Sequence, residues 1–448
     1  MQRTLMLKAA MIVAIFIALL IPLSMIGGIV AERAGRQAAV VREIAANNYG
    51  RQELAGMVLS IPYTEEYEET ANGRSERRSI ARVARLFPAS SDIVGSAAVS
   101  TKSRGIFKAR VFDWRGSMQG EFAFDLRTAL ARTRPGSRIV PGKPYASLAL
   151  SDPRGLVGTP VLHWDGKPIE IARGSELPNL PGGLHGVVPA FASDRPQRLS
   201  FALSLGLQGT ESLAVAPIAD SNHVRLSSNW PHPGFGGQFL PAPDSQRSSG
   251  NGFEAQWTTS ALAAKTQMQL LAQIEGGKPC SSGLCMDRME VRFVQPIDIY
   301  CLSDRAIKYG FLFIAVTFGC FLLFELLKGL SIHPAQYLLV GLALATFFLL
   351  LIGLSEHIAF GLAYSIATAA CVTLLGVYLS AALRGLGRGL SFAAMLAALY
   401  AALYGLLISE DNALLLGSLL VFGLLAAAMI ITRKLDWYAL GAPRPQAA

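Results

Sequence analysis

AAMIVAIFIALLIPLSMIGGIVA, residues 9–31, carries no charged side chain anywhere along its length. As a helix rising about 1.5 Å per residue, it is long enough to cross the roughly 30 Å hydrocarbon layer of a bilayer. Arg3 and Lys8 stand just ahead of it, and basic residues at the end of a span favour the cytoplasmic side. A cleavable signal peptide also opens with a basic stretch, but its apolar region runs to only about 7–15 residues. The segment therefore reads as an uncleaved anchor that starts inside and ends outside. Pro22 is tolerable within it, because neighbouring helices can satisfy the carbonyl it frees.

The rest of the chain fits this start. Hydrophobic residues make up 52% and charged residues only 16%, against about 25% charged in a typical soluble domain. The apolar excess sits at the two ends of the chain and leaves the middle ordinary. Five further apolar runs fall at 309–327, 336–354, 358–382, 389–408 and 413–432, joined by short loops. Counting sides from the anchor puts Lys328, His333, Arg384, Arg388, Arg433, Lys434 and Arg444 inside, and Glu356, Glu410 and Asp411 outside. Every short loop then obeys the positive-inside rule. The expected division is 1–31 as N-terminus and anchor, 32–308 as an external domain, 309–434 as a five-helix bundle and 435–448 as a tail.

The external segment has the texture of strands. Ile106–Phe112 and Glu290–Val294 are short alternating runs, and from Arg198 to Leu207 the positions Leu199, Phe201, Leu203, Leu205 and Leu207 share one face. Asp165-Gly166 between two such runs marks a tight hairpin. Many short strands with frequent turn residues predict a sandwich-like β-rich domain, or two smaller β modules. The chain carries a formal charge of +9. A basic exterior could favour anionic partners such as lipid headgroups or acidic wall polymers, but ordinary surface charge with no special partner is the favoured account.

Chemistry leaves little trace. No metalloprotease, phosphate-loop, nucleophile-elbow or dinucleotide-binding motif is present, although a carboxylate pair of the glycosidase kind would leave no local pattern. Within the five later apolar runs the sole charge is Glu325, near the end of its helix. It is expected to reach the interface or pair with Lys328 at i+3, which argues against a mid-membrane transport site. Tyr364, Tyr378, Tyr400 and Tyr404 could line a cavity or simply pack. Cys280 and Cys285, in KPCSSGLCMD, suit a local disulfide in an oxidising compartment. Cys320 and Cys371 read as small hydrophobes, and Cys301 is left over. Two loop groups are candidate contact points. One is Asn229, Trp230, His232 and Phe235, in SSNWPHPGFGG, where prolines and glycines forbid regular structure across much of the stretch. A buried connection with a satisfied His232 is the competing account. The other is the outer pair Glu356-His357 and Glu410-Asp411, whose simpler role is to cap and complement the helices that follow.

GRQELAGMVLSIPY, SSNWPHPGFGGQFLPAP, DRAIKYGFLFIAVTFGCFLLFELL, HPAQYLLVGLAL, LIGLSEHIAF, ISEDNALLLGS and TRKLDWYAL, in this order, resemble the CreD family of inner membrane proteins over nearly the whole chain. The resemblance implies a bacterial inner membrane protein concerned with cell envelope integrity. Its members are associated with a two-component system and with responses to envelope and β-lactam stress. It implies no enzymatic activity and no mapped site. The reading is thus an α-helical integral membrane protein with six membrane helices, one plus five, and a large β-rich, sandwich-like periplasmic domain. Both termini are expected in the cytoplasm. No catalytic residue, metal or cofactor is expected. The expected partners are the lipid bilayer and envelope proteins or cell-wall components, not nucleic acid. A transporter or lipid-handling protein using the bundle is the alternative, and an envelope hydrolase is a third.

Overall fold

The computed structural model describes residues 2–47, 49–71, 74–191, 195–276, 283–295, 298–328, 332–383, 385–409 and 412–433. The chain divides into two compact units, Met1–Ala38 with Ile297–Ala448, and Ala39–Pro296.

The helical unit is built from α1 (Gln2–Asn47) as far as Ala38, a helix that runs unbroken through Pro22 and past the lipid-length stretch, together with the helices of the C-terminal third. The intervening elements are, in order, β1 (Gln52–Ala71), β2 (Arg74–Leu86), β3 (Ser90–Arg104), β4 (Phe107–Phe124), α2 (Leu126–Ala129), β5 (Arg138–Pro141), β6 (Tyr145–Leu150), β7 (Leu156–Trp164), β8 (Lys167–Ile169), β9 (Ala172–Arg173) and β10 (Gly183–Val187). There follow β11 (Gln197–Thr210), β12 (Ser212–Ala216), β13 (Ser221–Ser228), β14 (Pro233–Gly237), β15 (Gln246–Ser249), β16 (Gly252–Ser260), α3 (Thr266–Ile274) and β17 (Met289–Phe293). The chain then enters α4 (Ile299–Lys328), α5 (Pro334–Ser355), α6 (Phe360–Ala382), α7 (Leu386–Ile408) and α8 (Ala413–Thr432).

Two mixed sheets form the β unit. The first runs β14-β17-β12-β1-β6-β10-β9, with β2 and β5 also on β1; the second runs β15-β16-β13-β3-β4-β11-β7-β8. β1 pairs parallel with β12, and β3 parallel with β13. Side chains of both sheets, including Leu59, Leu148 and Phe293 from the first and Trp114, Phe122, Trp164 and Leu203 from the second, share one core. That makes a sandwich. The alternation in β11 follows from it, with Phe201, Leu203, Leu205 and Leu207 buried and their neighbours facing out or half-covered. At Asp165-Gly166 both residues have positive φ, 49° and 75°, and Trp164 pairs with Lys167 across them. This is the two-residue turn whose twist suits a hairpin.

The start of β1 shows no alternation because it is covered on both faces. Leu54, Met57 and Leu59 enter the sandwich core, while Ala55 and Val58 pack outward with Leu270 and Ile274 of α3. At the far edge of the same sheet the expectation of an irregular WPHPGFGG stretch is corrected: Pro233–Gly237 is β14, paired antiparallel with β17. An edge strand tolerates a proline at its first position because little pairing is lost there. In the second sheet, Gly95 and Gly116 are cross-strand partners. A Cβ on either would lie 2.3 or 2.2 Å from the ring of buried Trp114, so the two glycines form the slot that the indole fills.

Among the described residues, five helices are long and apolar enough to cross a membrane: Leu7–Asn47, Ile299–Leu323, Pro334–Ser355, Phe360–Ala382 and Leu386–Ile408. Leu415–Ala427 in α8 is a shorter apolar stretch. Phe313 and Phe347 each lie with ring centres 4.5 Å from that of Tyr400. The Tyr364 hydroxyl donates to the Tyr400 carbonyl at 2.7 Å, and the Tyr400 hydroxyl donates to Cys371 Sγ at 3.2 Å. Tyr364 and Tyr400 are therefore packing residues with satisfied hydroxyls, and Cys371 is buried among them.

Candidate functional site

The charges of the helical unit are placed with care. Near the start of α1, Lys8 donates to the carboxylate of Glu325 in α4. That carboxylate also accepts from the Tyr337 hydroxyl of α5 at 2.9 Å and from the Ile332 backbone N–H at 3.2 Å. Glu325 and Tyr337 are both buried. This contact spans 317 residues of sequence; the side chain of Lys328, the partner expected at i+3, lies outside the described residues. A buried carboxylate requires such partners, because an unpaired ion away from water is costly.

The same three helices meet again at their other ends. Arg33 Nε of α1 lies 3.7 Å from Oε1 of Glu356, the residue that caps α5. That carboxylate also accepts from the Tyr300 hydroxyl of α4 at 3.1 Å. Each cluster joins a base from α1, a glutamate and a tyrosine, and α4 and α5 exchange the last two roles between the ends. Lys8 and Arg33 lie about 37 Å apart along α1 at the helical rise, and Tyr337 and Glu356 about 28 Å along α5. These spacings match a hydrocarbon layer of about 30 Å, so the two clamps fall where its edges would be.

The first outer loop supplies no side-chain cap to the next helix. Ala359, at the start of α6, makes no side-chain capping bond, and Glu356 is turned inward to Arg33 and Tyr300. His357 is exposed. Glu410 and Asp411 lie outside the described residues, as does Cys280, so the expected Cys280–Cys285 pair falls partly outside them too. Cys301 and Cys320 are free thiols, like Cys371.

In the β unit the Asn229–Phe235 group is mostly occupied in holding the fold. The Asn229 side chain accepts from Val99 N at 2.7 Å and donates to Val99 O at 3.2 Å. Trp230 Nε1 donates to Val294 O at 2.9 Å. The Phe235 ring meets Phe253 and Trp257 edge-on at 5.9 and 5.7 Å. His232 is exposed, so the expected buried connection with a satisfied His232 is corrected.

Two buried acids meet at the other end of β17. Oε2 of Glu53, in β1, accepts from Leu284 N at 2.9 Å and lies 3.6 Å from Arg288 Nη1. Its Oε1 has no hydrogen-bond partner among the described residues. Burial pushes this carboxyl above its ordinary range, despite the Leu284 bond and Arg288. Glu290 is buried as well, which acts to raise its carboxyl. Two bonds from Arg292, at 3.1 and 3.2 Å, together with Arg288, overcome that and hold it below the usual range. Among the described residues no group of three or more His, Cys, Asp or Glu side chains is arranged to hold a metal ion.

Apolar membrane-length helices interrupted by a β-sandwich unit, with the interhelical ion pairs among the described residues lying at the two ends, define a multi-pass membrane protein with a large β-rich domain. A family model described as inner membrane protein CreD matches residues 4–438. The inner membrane protein CreD of Escherichia coli (strain K12) is 34% identical over 431 residues, which covers 96% of this chain and 93% of that one. The chain belongs to the CreD family and is a multi-pass inner membrane protein.

The clamps were the part hidden from sequence reasoning. A lone acid in an apolar run signals that a partner exists, but nothing local says which residue it is. Tyr300 and Tyr337 carry no signal at all until the helices are assembled.

Proposed function

We propose that this protein supports the integrity of the cell envelope without catalysing a reaction. Its β unit faces the periplasm and makes contacts there, and the helices hold it in the inner membrane. The observation that carries the reading is the pair of clamps. They fasten α1 to α4 and α5 at both ends, so the two helices that lead the chain into and out of the β unit belong to one tied core. That suits a mount. In this reading α8 is the sixth span, and the basic loops put both termini in the cytoplasm.

The test uses the full chain in cells, with photo-crosslinking residues placed on exposed positions of β2, β11 and β16. Reproducible capture of the same wall-synthesis or envelope proteins is the expected result. Crosslinks confined to lipid and to the helices would defeat the reading. A second reading draws on a cleft of about 530 Å³ lined by Tyr309, Leu312, Leu406, Val421, Phe422 and Leu425. Its apolar lining suits an acyl chain, as lipid handling would require. That reading expects Phe422→Ala to remove function at unchanged protein level.

A further inference from the structure

The chain enters and leaves the β unit at one end of the first sheet, where Gln52 pairs with Leu213 and Ser212 with Arg292. The β1–β2 hairpin closes at the other end, with Ala71 opposite Arg74, on the order of 60 Å away at about 3.3 Å per residue. Towards this end, Glu65 is fully buried. Its carboxylate accepts from Thr133 N at 2.8 Å, Thr133 Oγ1 at 2.6 Å, Arg134 N at 3.0 Å and Ser137 Oγ at 2.7 Å. Arg82 Nε lies 3.5 Å away. With its acceptor sites filled, Glu65 serves to fix the loop at 131–137.

That loop sets the Arg134 guanidinium 4.3 Å from the centre of the Tyr67 ring. Beside it opens a cavity of about 460 Å³ lined by Glu66, Tyr67, Glu68, Arg77, Arg134 and Arg138. This is the volume of a small-ligand site. Arg77 and Arg138 are exposed, and neither is ion-paired among the described residues. Pairing puts Glu68 opposite Arg77 and Glu66 opposite Arg138, so charges of both signs stand round the opening. A surface serving only solubility has no need of a buried carboxylate to position its arginines. A uniformly anionic polymer would meet Glu66 and Glu68 as well as the arginines.

We propose that this cavity binds a short zwitterionic peptide. Its carboxylates sit on Arg77, Arg134 and Arg138 and its amines against Glu66 and Glu68, with the Tyr67 ring backing Arg134. Arginine supplies the forked donors that match a carboxylate. This rests on the reading that the β unit makes the protein's contacts, and it names the chemistry of one partner.

The test is calorimetric titration of the full-length protein in nanodiscs with the tripeptide Ala-Glu-Lys. Parallel titrations use the same peptide with both carboxylates amidated, the same peptide with both amines acetylated, and inorganic phosphate. Binding of the unmodified peptide is expected, with loss on either modification. Arg138→Gln is expected to weaken it tenfold or more, and Glu68→Gln several-fold. Exposed Arg115, elsewhere in the β unit, serves as the control in Arg115→Gln, and tryptophan emission checks that each variant is folded. Absence of binding at millimolar peptide overturns the proposal. So does equal binding of phosphate or of the amidated peptide, or indifference to Arg138→Gln. If the peptide fails while crosslinks to envelope proteins persist elsewhere on the β unit, this site falls and the proposed function stands.

Discussion

Removing the Glu325 carboxylate tests whether the clamps hold the helical unit together. Glu325→Ala leaves three groups without their partner: the Lys8 ammonium, the buried Tyr337 hydroxyl and the Ile332 N–H. Breaking a buried ion pair from one side costs about 3–5 kcal/mol. Lys8 is partly exposed and near a helix end, so its ammonium can turn towards water, and the lower figure of about 3 kcal/mol applies. Tyr337→Phe removes one interhelical hydrogen bond, worth about 0.6 and at most about 1.7 kcal/mol in membrane proteins. Lys8→Met with Glu325→Met removes both charges, and replacing a buried pair by apolar residues is often neutral or better. The double variant should therefore recover most of the loss.

Unfolding in mixed micelles of increasing SDS content measures this with two signals. Far-UV dichroism is dominated by the helices, whereas four of the five tryptophans, Trp114, Trp164, Trp230 and Trp257, lie in the β unit, and a Trp437→Phe background removes the fifth. Glu325→Ala should move the dichroism midpoint and leave the tryptophan transition of the β unit in place. An unmoved dichroism midpoint, or a double variant as weak as the single one, would refute the clamp.

Three further outcomes follow from the β unit. Hydrogen bonds from Thr133 and Ser137 push the Glu65 carboxyl down to about 2, below roughly 4.3 in an unfolded chain. The stability it contributes is complete above the unfolded value and disappears as pH falls through 2. Hydrogen exchange at the Thr133 and Arg134 amides should therefore speed up relative to other loop amides over that window, and Glu65→Gln should remove the effect. Glu53 is shifted the other way, so its charged form weakens the fold. Stability should rise on acidification from neutral pH towards the ordinary carboxylate range, and Glu53→Gln should hold or raise the neutral-pH midpoint of tryptophan emission while flattening that rise; a marked loss would contradict the desolvation argument. Gly116→Ala drives a methyl to 2.2 Å from the Trp114 ring and should cost about 1–3 kcal/mol of overpacking. The penalty should shrink in a Trp114→Phe background, as a double-mutant cycle would show.

Residues 9–31 and the later apolar runs were legible in one dimension because burial in lipid demands a run of apolar residues of fixed length, which is a local property. The alternation at 201–207 and the Asp165-Gly166 turn were legible for a like reason, since strand period and positive φ belong to a few adjacent residues. The start of β1 and the β14 edge were misread or silent. Covering both faces of β1 erases its alternation, and pairing with β17 makes a strand of a Pro/Gly-rich stretch whose own propensity opposes it. The clamps and the Glu65-anchored loop lay wholly beyond the sequence. Lys8 meets Glu325, and Glu65 meets Thr133, only because packing brings distant segments together, and the low polarity around them makes those few contacts decisive.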